Sequence, residues 1–421
     1  MSPKETATTR RGFLVATGAT VLAGCSGSPP NTDATTTESV STTTTALSSI
    51  GPDDWPQLGR TAAHNGYAPA ASSDAEPAVA TETSVEGSLT TPTVVGDTVY
   101  VTRGAPTPDG PQATLEAYGL ASGERRWSRS LGVEFRYNAP FSNHRPIVHG
   151  DRVYAATNDG VVAANRATGD VEWRTEDVAV GSPPSVTDER VYVTADETLV
   201  ALNHEGTERW RTTAEGQRAK FQLTAVSDGT VFADVDGRLM ALDSASGDVR
   251  WEHAPEDGLS SATPAVADDA VVRASFDGVE AVSTDGTREW LADAPEEALL
   301  RPVVGHGTVF TLGLYGTVTA YDLSSGERAW QSSVGDGEWT QETAPILLDD
   351  ALVVGQSNGD EVSVHALAPD SGETRWRVSA SATRVRGPVA ASGHLVVTTQ
   401  DRHPNQEGES PIGATIRAYE L

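Results

Sequence analysis

The sequence predicts an all-β protein, an eight-bladed β-propeller of four-stranded blades, with a seven-bladed ring as the alternative. Three observations predict it. A short pattern ending in tryptophan returns seven times, at Trp127, Trp173, Trp210, Trp251, Trp290, Trp330 and Trp376. The steps between these residues are 46, 37, 41, 39, 40 and 46, and a period near forty marks one supersecondary unit per repeat. Within a repeat, short β-branched runs alternate with turn residues, and no segment sustains a helical period.

Residues 262–290 give the strands of one unit. "ATPAVA" is a first strand and Asp268-Asp269 a turn. "AVVRAS" is a second strand, "VEAVS" a third and "TREWLA" a fourth, separated by "FDG" and "TDG". Eight such units begin near Thr91, Arg145, Ser182, Thr224, Thr263, Arg301, Ala344 and Gly387. The eighth is incomplete. "ATIRAYEL" supplies its third strand, and the sequence given stops before a fourth. An unpaired edge invites association. The run "PAVATETSV", residues 77–85, precedes the first unit and can fill the missing place, closing the ring with strands from both ends.

The recurring pattern reads as blade glue. In "ALDSASGDVRW", Ala241 to Trp251, the Gly permits a positive φ in the tight turn between third and fourth strands. The small Ala leaves room for close packing. The Trp can cover the neighbouring blade and bury about 150–250 Å².

Ahead of the repeats lies an address. Arg10 and Arg11, followed by Gly12, Phe13 and Leu14, resemble the twin-arginine export signal. The apolar run from Phe13 to Gly24 is too short to span a bilayer. It ends in Leu22-Ala23-Gly24-Cys25, which looks like a lipobox, the pattern in which cleavage precedes a cysteine that then receives a lipid. Cys25 is the only cysteine, so no disulfide forms within the chain. The expected organisation is a signal peptide over residues 1–24, a Thr/Ser-rich disordered linker over 25–53 carrying the lipid on Cys25, and the propeller over 54–421. The expected location is the outer face of the cell membrane. A single chain anchors weakly, so a two-chain lipid is expected.

The chain has 59 Asp plus Glu against 30 Lys plus Arg, and only two lysines, Lys4 and Lys220. The acids are spread over every repeat, which excludes a nucleic-acid partner, since phosphates need a basic stripe. Removing residues 1–24, with three basic side chains and one acidic, moves the formal charge from −29 to −31. A dispersed acidic, lysine-poor surface reads as adaptation to concentrated salt, and with it a halophilic archaeal source. A monomer is expected.

The pattern resembles the tryptophan-docking repeat, Ala-x-Asp-x-x-Thr-Gly-x-x-x-Trp, of the pyrroloquinoline quinone (PQQ) dehydrogenase superfamily. The resemblance covers roughly residues 54–421, including the lead-in "WPQLGRTAAHNGYAP" from Trp55 to Pro69. It implies a propeller but not an activity, because the docking residues are structural in every member. The same repeat is similar to that of the propeller lipoproteins serving the outer-membrane β-barrel assembly machinery, which bind partners and perform no chemistry. That resemblance implies a non-catalytic, anchored scaffold for a protein or ligand, without cofactor. The alternative it leaves open is a quinoprotein dehydrogenase, with PQQ and Ca²⁺ over the axis. The adjacent-cysteine pair of many such enzymes is impossible here, and no motif places the Ca²⁺ ligands or the base.

No P-loop, G-x-S-x-G or H-E-x-x-H is present, and the nine histidines lack metal-ligand spacing. His144 reads as a solvated loop residue. The "NDG" at 158–160, "VDG" at 235–237 and "SNGD" at 357–360 read as hairpin turns rather than calcium loops. One feature falls outside the repeat. Four connections into first strands are basic: Arg136, His144 and Arg145; Arg218 and Lys220; Arg301; Arg384 and Arg386. The connections into units three, five and seven carry Glu176, Asp177, Glu256, Asp257, Asp336, Glu338 and Glu342 instead. Converging guanidinium groups chelate carboxylate or phosphate. Arg145, Lys220, Arg301 and Arg386 are therefore the expected contacts for an anionic ligand or acidic partner at one channel mouth. No catalytic residue and no metal ligand is expected.

Overall fold

The computed structural model describes residues 49–69, 71–73, 75–105, 107, 112–135, 145–157, 159–175, 182–215, 220–254, 259, 263–294, 301–313, 315–335, 344–400 and 413–421. Cys25, with the signal and most of the linker, lies outside them. The described residues contain strands and turns and no helix. Eight antiparallel sheets form a ring, each sheet one blade. Blade two is typical: Ile147–His149, Arg152–Thr157, Gly160–Asn165 and Val171–Arg174, in that order from the axis outward.

The burial pattern explains the composition of the strands. Gly160–Asn165 is buried at five of six positions, because blades pack against both of its faces. Such strands read as continuous apolar runs rather than alternating ones. The outer strand Glu208–Thr213 faces solvent with its charged residues and turns Trp210 inward.

The expected ring closure is present. Ala78–Glu86 pairs antiparallel with Gly413–Glu420 and forms the outer strand of blade eight. The blade joins it to Arg384–Ala391, His394–Gln400 and Gly413–Glu420, so both ends of the propeller lie in one sheet. Blade one departs from the simple scheme. Its innermost position is split into Ser88–Leu89 and Thr93–Val95, both paired with Thr98–Ala105.

The seven docking tryptophans share one geometry. Each lies directly across the third and fourth strands from the motif alanine: Ala117 from Trp127, Ala163 from Trp173, Ala201 from Trp210, Ala241 from Trp251, Ala281 from Trp290, Ala320 from Trp330, Ala366 from Trp376. In five blades the alanine also faces an aromatic of the second strand, as Phe232 faces Ala241. A methyl group between two rings lets them approach, and the Phe232 and Trp251 centroids are 6.0 Å apart. Each indole N–H then donates to a carbonyl beyond its own blade, such as Trp127 to Arg166 at 3.1 Å and Trp290 to Leu323 at 2.7 Å. Gly169, at φ 75°, lies against the Trp127 ring, and a Cβ there would sit 2.5 Å from Cε3. The glycine therefore answers two demands, the turn and the neighbouring indole.

Blade eight has no tryptophan. Thr81 and Thr83 of its outer strand bond the Ala121 and Gly123 carbonyls of blade one at 3.1 and 3.0 Å. Hydroxyls thus take the place of the indole at the closing seam.

Candidate axial site

The residues before the first blade wind across the axis instead of leaving it open. Hydrogen bonds tie them to all eight blades, by backbone groups everywhere except at blade three. Asp53 O accepts from Ser392, Trp55 pairs with Val94, and Pro56 O accepts from Val148. The Gln57 side chain bonds both backbone groups of Val186. Ala62, Ala63, Asn65 and Gly66 carbonyls accept from Val226, Val266, Val304 and Leu347. Tyr67–Ala68 then pairs parallel with Ile346–Leu348. The spacing of apolar Trp55 and small Ala62 and Ala63 suits this path, because the inner strands converge and leave little room.

Beside this segment lie two buried arginines, each just ahead of an innermost strand. Arg145 and Arg301 each precede a proline, which favours extended backbone at the residue before it. They belong to blades two and six, four blades apart and so facing across the ring. Arg301 Nη1 donates to His64 O at 2.5 Å and Pro302 O at 3.2 Å. Arg145 Nη2 donates to Pro92 O at 3.0 Å, and its Nε reaches Thr93 Oγ1 at 3.4 Å. The side chain of Arg301 passes Gly66, where a Cβ would stand 2.9 Å from Nη1. Both arginines are buried, at 5 and 7 % exposure. Burial, then the charge of Arg301, lowers Arg145 to about 9. Burial lowers Arg301 to about 10. His64, fully enclosed, is held down to about 3 by burial, then by Arg301 and Arg145. Three titratable groups from separate segments thus share one electrostatic environment.

The sequence-based grouping at this site needs correction. Lys220 does not join it: its side chain is 64 % exposed and its Nζ lies 2.9 Å from Asp196 Oδ1. An exposed connection on an acidic surface offers a carboxylate nearer than the axis. Arg386 is buried in the first strand of blade eight, two residues before Pro388 rather than one. The charges acting on His64 are those of Arg301 and Arg145. Arg384 is half-buried in the same strand as Arg386. Arg136, His144 and Arg218 lie outside the described residues, as do the seven acids of the alternating connections. His64 went unnoticed in the sequence, where only the run of Gly59, Asn65 and Gly66 signals that this stretch bends repeatedly.

Two aromatics mark the other end of the ring. Phe276 and Tyr315 occupy the turns between second and third strands in adjacent blades five and six, at 47 and 50 % exposure. On the face crossed by residues 49–63, a cavity of about 830 Å³ opens beside His149, Arg166 and Asp188 of blades two and three.

A family model described as "Outer membrane protein assembly factor BamB" matches residues 111–332 and 314–406. The protein of that name from Bordetella pertussis is 28% identical over 331 residues, covering 73% of this chain and 80% of its own length. That from Escherichia coli K12 is 28% identical over 343 residues, covering 65% and 86%. Among solved structures, BamB from Moraxella catarrhalis superposes with a TM-score of 0.57 at 19% identity, over 81% of this chain and 98% of that one. The quinohemoprotein alcohol dehydrogenase from Comamonas testosteroni gives 0.67 at 13% identity, over 87% and 80%. At such identities the structural likeness is one of fold.

Proposed function

The chain belongs to the outer membrane protein assembly factor BamB family, and on that premise we propose that it is a non-catalytic propeller scaffold that holds other proteins, anchored by lipid on the outer face of the cell membrane. The observation that carries the reading is the occupation of the axis. Residues 53–68 bond to all eight blades, and Arg145 and Arg301 lie buried beside them.

A quinoprotein site does not fit these residues. Ca²⁺ takes six to eight oxygen ligands, carboxylates prominent among them. Among the described residues, the charged groups that act on His64 are Arg145 and Arg301, whose positive charge repels a cation. Among the described residues, no group of three or more His, Cys, Asp or Glu could hold a metal.

Partner contact is assigned to the face bearing Phe276 and Tyr315, where two large apolar groups lie exposed in adjacent blades. The test places a photocrosslinking residue at 276, 315 and, on the opposite face, 150, in the full chain in its own cells. One shared adduct at 276 and 315, absent at 150, is expected. PQQ- and Ca²⁺-dependent dye-linked oxidation of an alcohol or sugar, lost when PQQ is omitted, would overturn the reading.

A further inference from the structure

We propose that Arg145 and Arg301 form a buried site on the propeller axis for a small oxyanion, a phosphate or a short carboxylate. The site goes beyond the scaffold reading and stands whether or not a protein partner docks outside.

Two guanidinium groups are buried here, and among the described residues no carboxylate pairs with either. The contacts recorded for them are the Pro92, His64 and Pro302 carbonyls and the Thr93 hydroxyl. Arg273, fully buried between two other blades, is by contrast matched by acid, holding Asp234 and Glu280. Carbonyl oxygens carry only partial charge, so they solvate a guanidinium without neutralising it. Burying like charges together is unfavourable unless a counter-ion joins them.

Donors remain for that counter-ion. Arg301 Nε is buried without a partner. Arg301 Nη2 and Arg145 Nη1 make no hydrogen bond to a described residue. The N–H pairs of two guanidinium groups match an oxyanion with two or more oxygens. The lead-in above closes the site with backbone on one side, which selects a small ligand over a peptide segment. The net charge of the whole chain is −29, so anion binding here comes from the local field and not from the surface.

The test uses the full chain, its ionic strength held constant with sodium chloride while inorganic phosphate or malonate is titrated. The expected result is a saturable rise in Tm, on the order of 3 °C at a hundredfold excess over Kd. Arg145→Gln should weaken the effect at least tenfold. In the native chain, the ¹⁵N shifts of the His64 ring should change with the same midpoint, a readout that needs no variant to fold. No saturable Tm rise and no His64 change would overturn the proposal, as would an undiminished rise in Arg145→Gln. A response to hexaglutamate but to neither small anion would also overturn it, assigning the arginines to a side chain of a partner.

Discussion

Arg273 Nη1 lies 2.6 Å from Asp234 Oδ2, and both side chains are fully enclosed between blades four and five. Arg273 Nη2 holds Glu280, and His253 bonds the other oxygen of that carboxylate at 2.6 Å. One cation thereby ties carboxylates of both blades. Arg273→Met leaves two carboxylates buried without it, and a loss of about 3–5 kcal/mol is expected in urea denaturation. Replacing Asp234 and Glu280 by Leu in the same variant should recover most of that loss. An unchanged midpoint in the single variant would contradict the account.

The two demands on the docking glycine can be separated. Gly326 has φ 70° and faces Trp290, where a Cβ would stand 2.6 Å from Cδ2. Gly150 has φ 58° and open space around it. Gly150→Ala should lower stability by about 1–2 kcal/mol, the backbone penalty alone. Gly326→Ala should lower it by about 2–4 kcal/mol, because the ring must also move. Equal midpoints for the two would mean the indole does not constrain the turn.

His64 titrates far below an ordinary histidine, at about 3 against 6.5. Its protonation therefore favours the unfolded chain. Its stabilising influence is complete above pH 6.5 and is lost progressively as pH falls from there toward 3, by about 1.4 kcal/mol per unit. His64→Gln should flatten that part of the stability profile, measured by denaturation in phosphate-free buffer. Parallel profiles for the two proteins between pH 6 and 4 would refute the assignment.

Location is tested at the N-terminus. Cys25→Ser should release the protein from the membrane fraction, and Arg10→Lys with Arg11→Lys should retain it in the cytoplasm. Unchanged fractionation of both variants would remove the lipid anchor from the proposal.

The blade repeat was legible in the sequence because each of its demands is local. The Ala, the Gly and the Trp of one motif serve a single turn and its two strands, and the pattern returns every forty residues or so. The closing strand was legible too, because the eighth unit lacks a strand and residues 77–85 precede the first unit, one residue from the observed Ala78–Glu86. The docking hydroxyls of Thr81 and Thr83 were not legible, since nothing local distinguishes them from any outward threonine.

The axial site belongs to the tertiary structure. Arg145 and Arg301 are 156 positions apart, and only ring closure sets them across from one another. Their registers agree because each precedes a proline, while Arg386 is displaced by one residue and Lys220 has an acid closer at hand. Charge and composition along the chain could nominate these residues but not choose among them. The choice is made by distance and desolvation, which depend on where eight converging strands and the segment from Asp53 to Ala68 leave space.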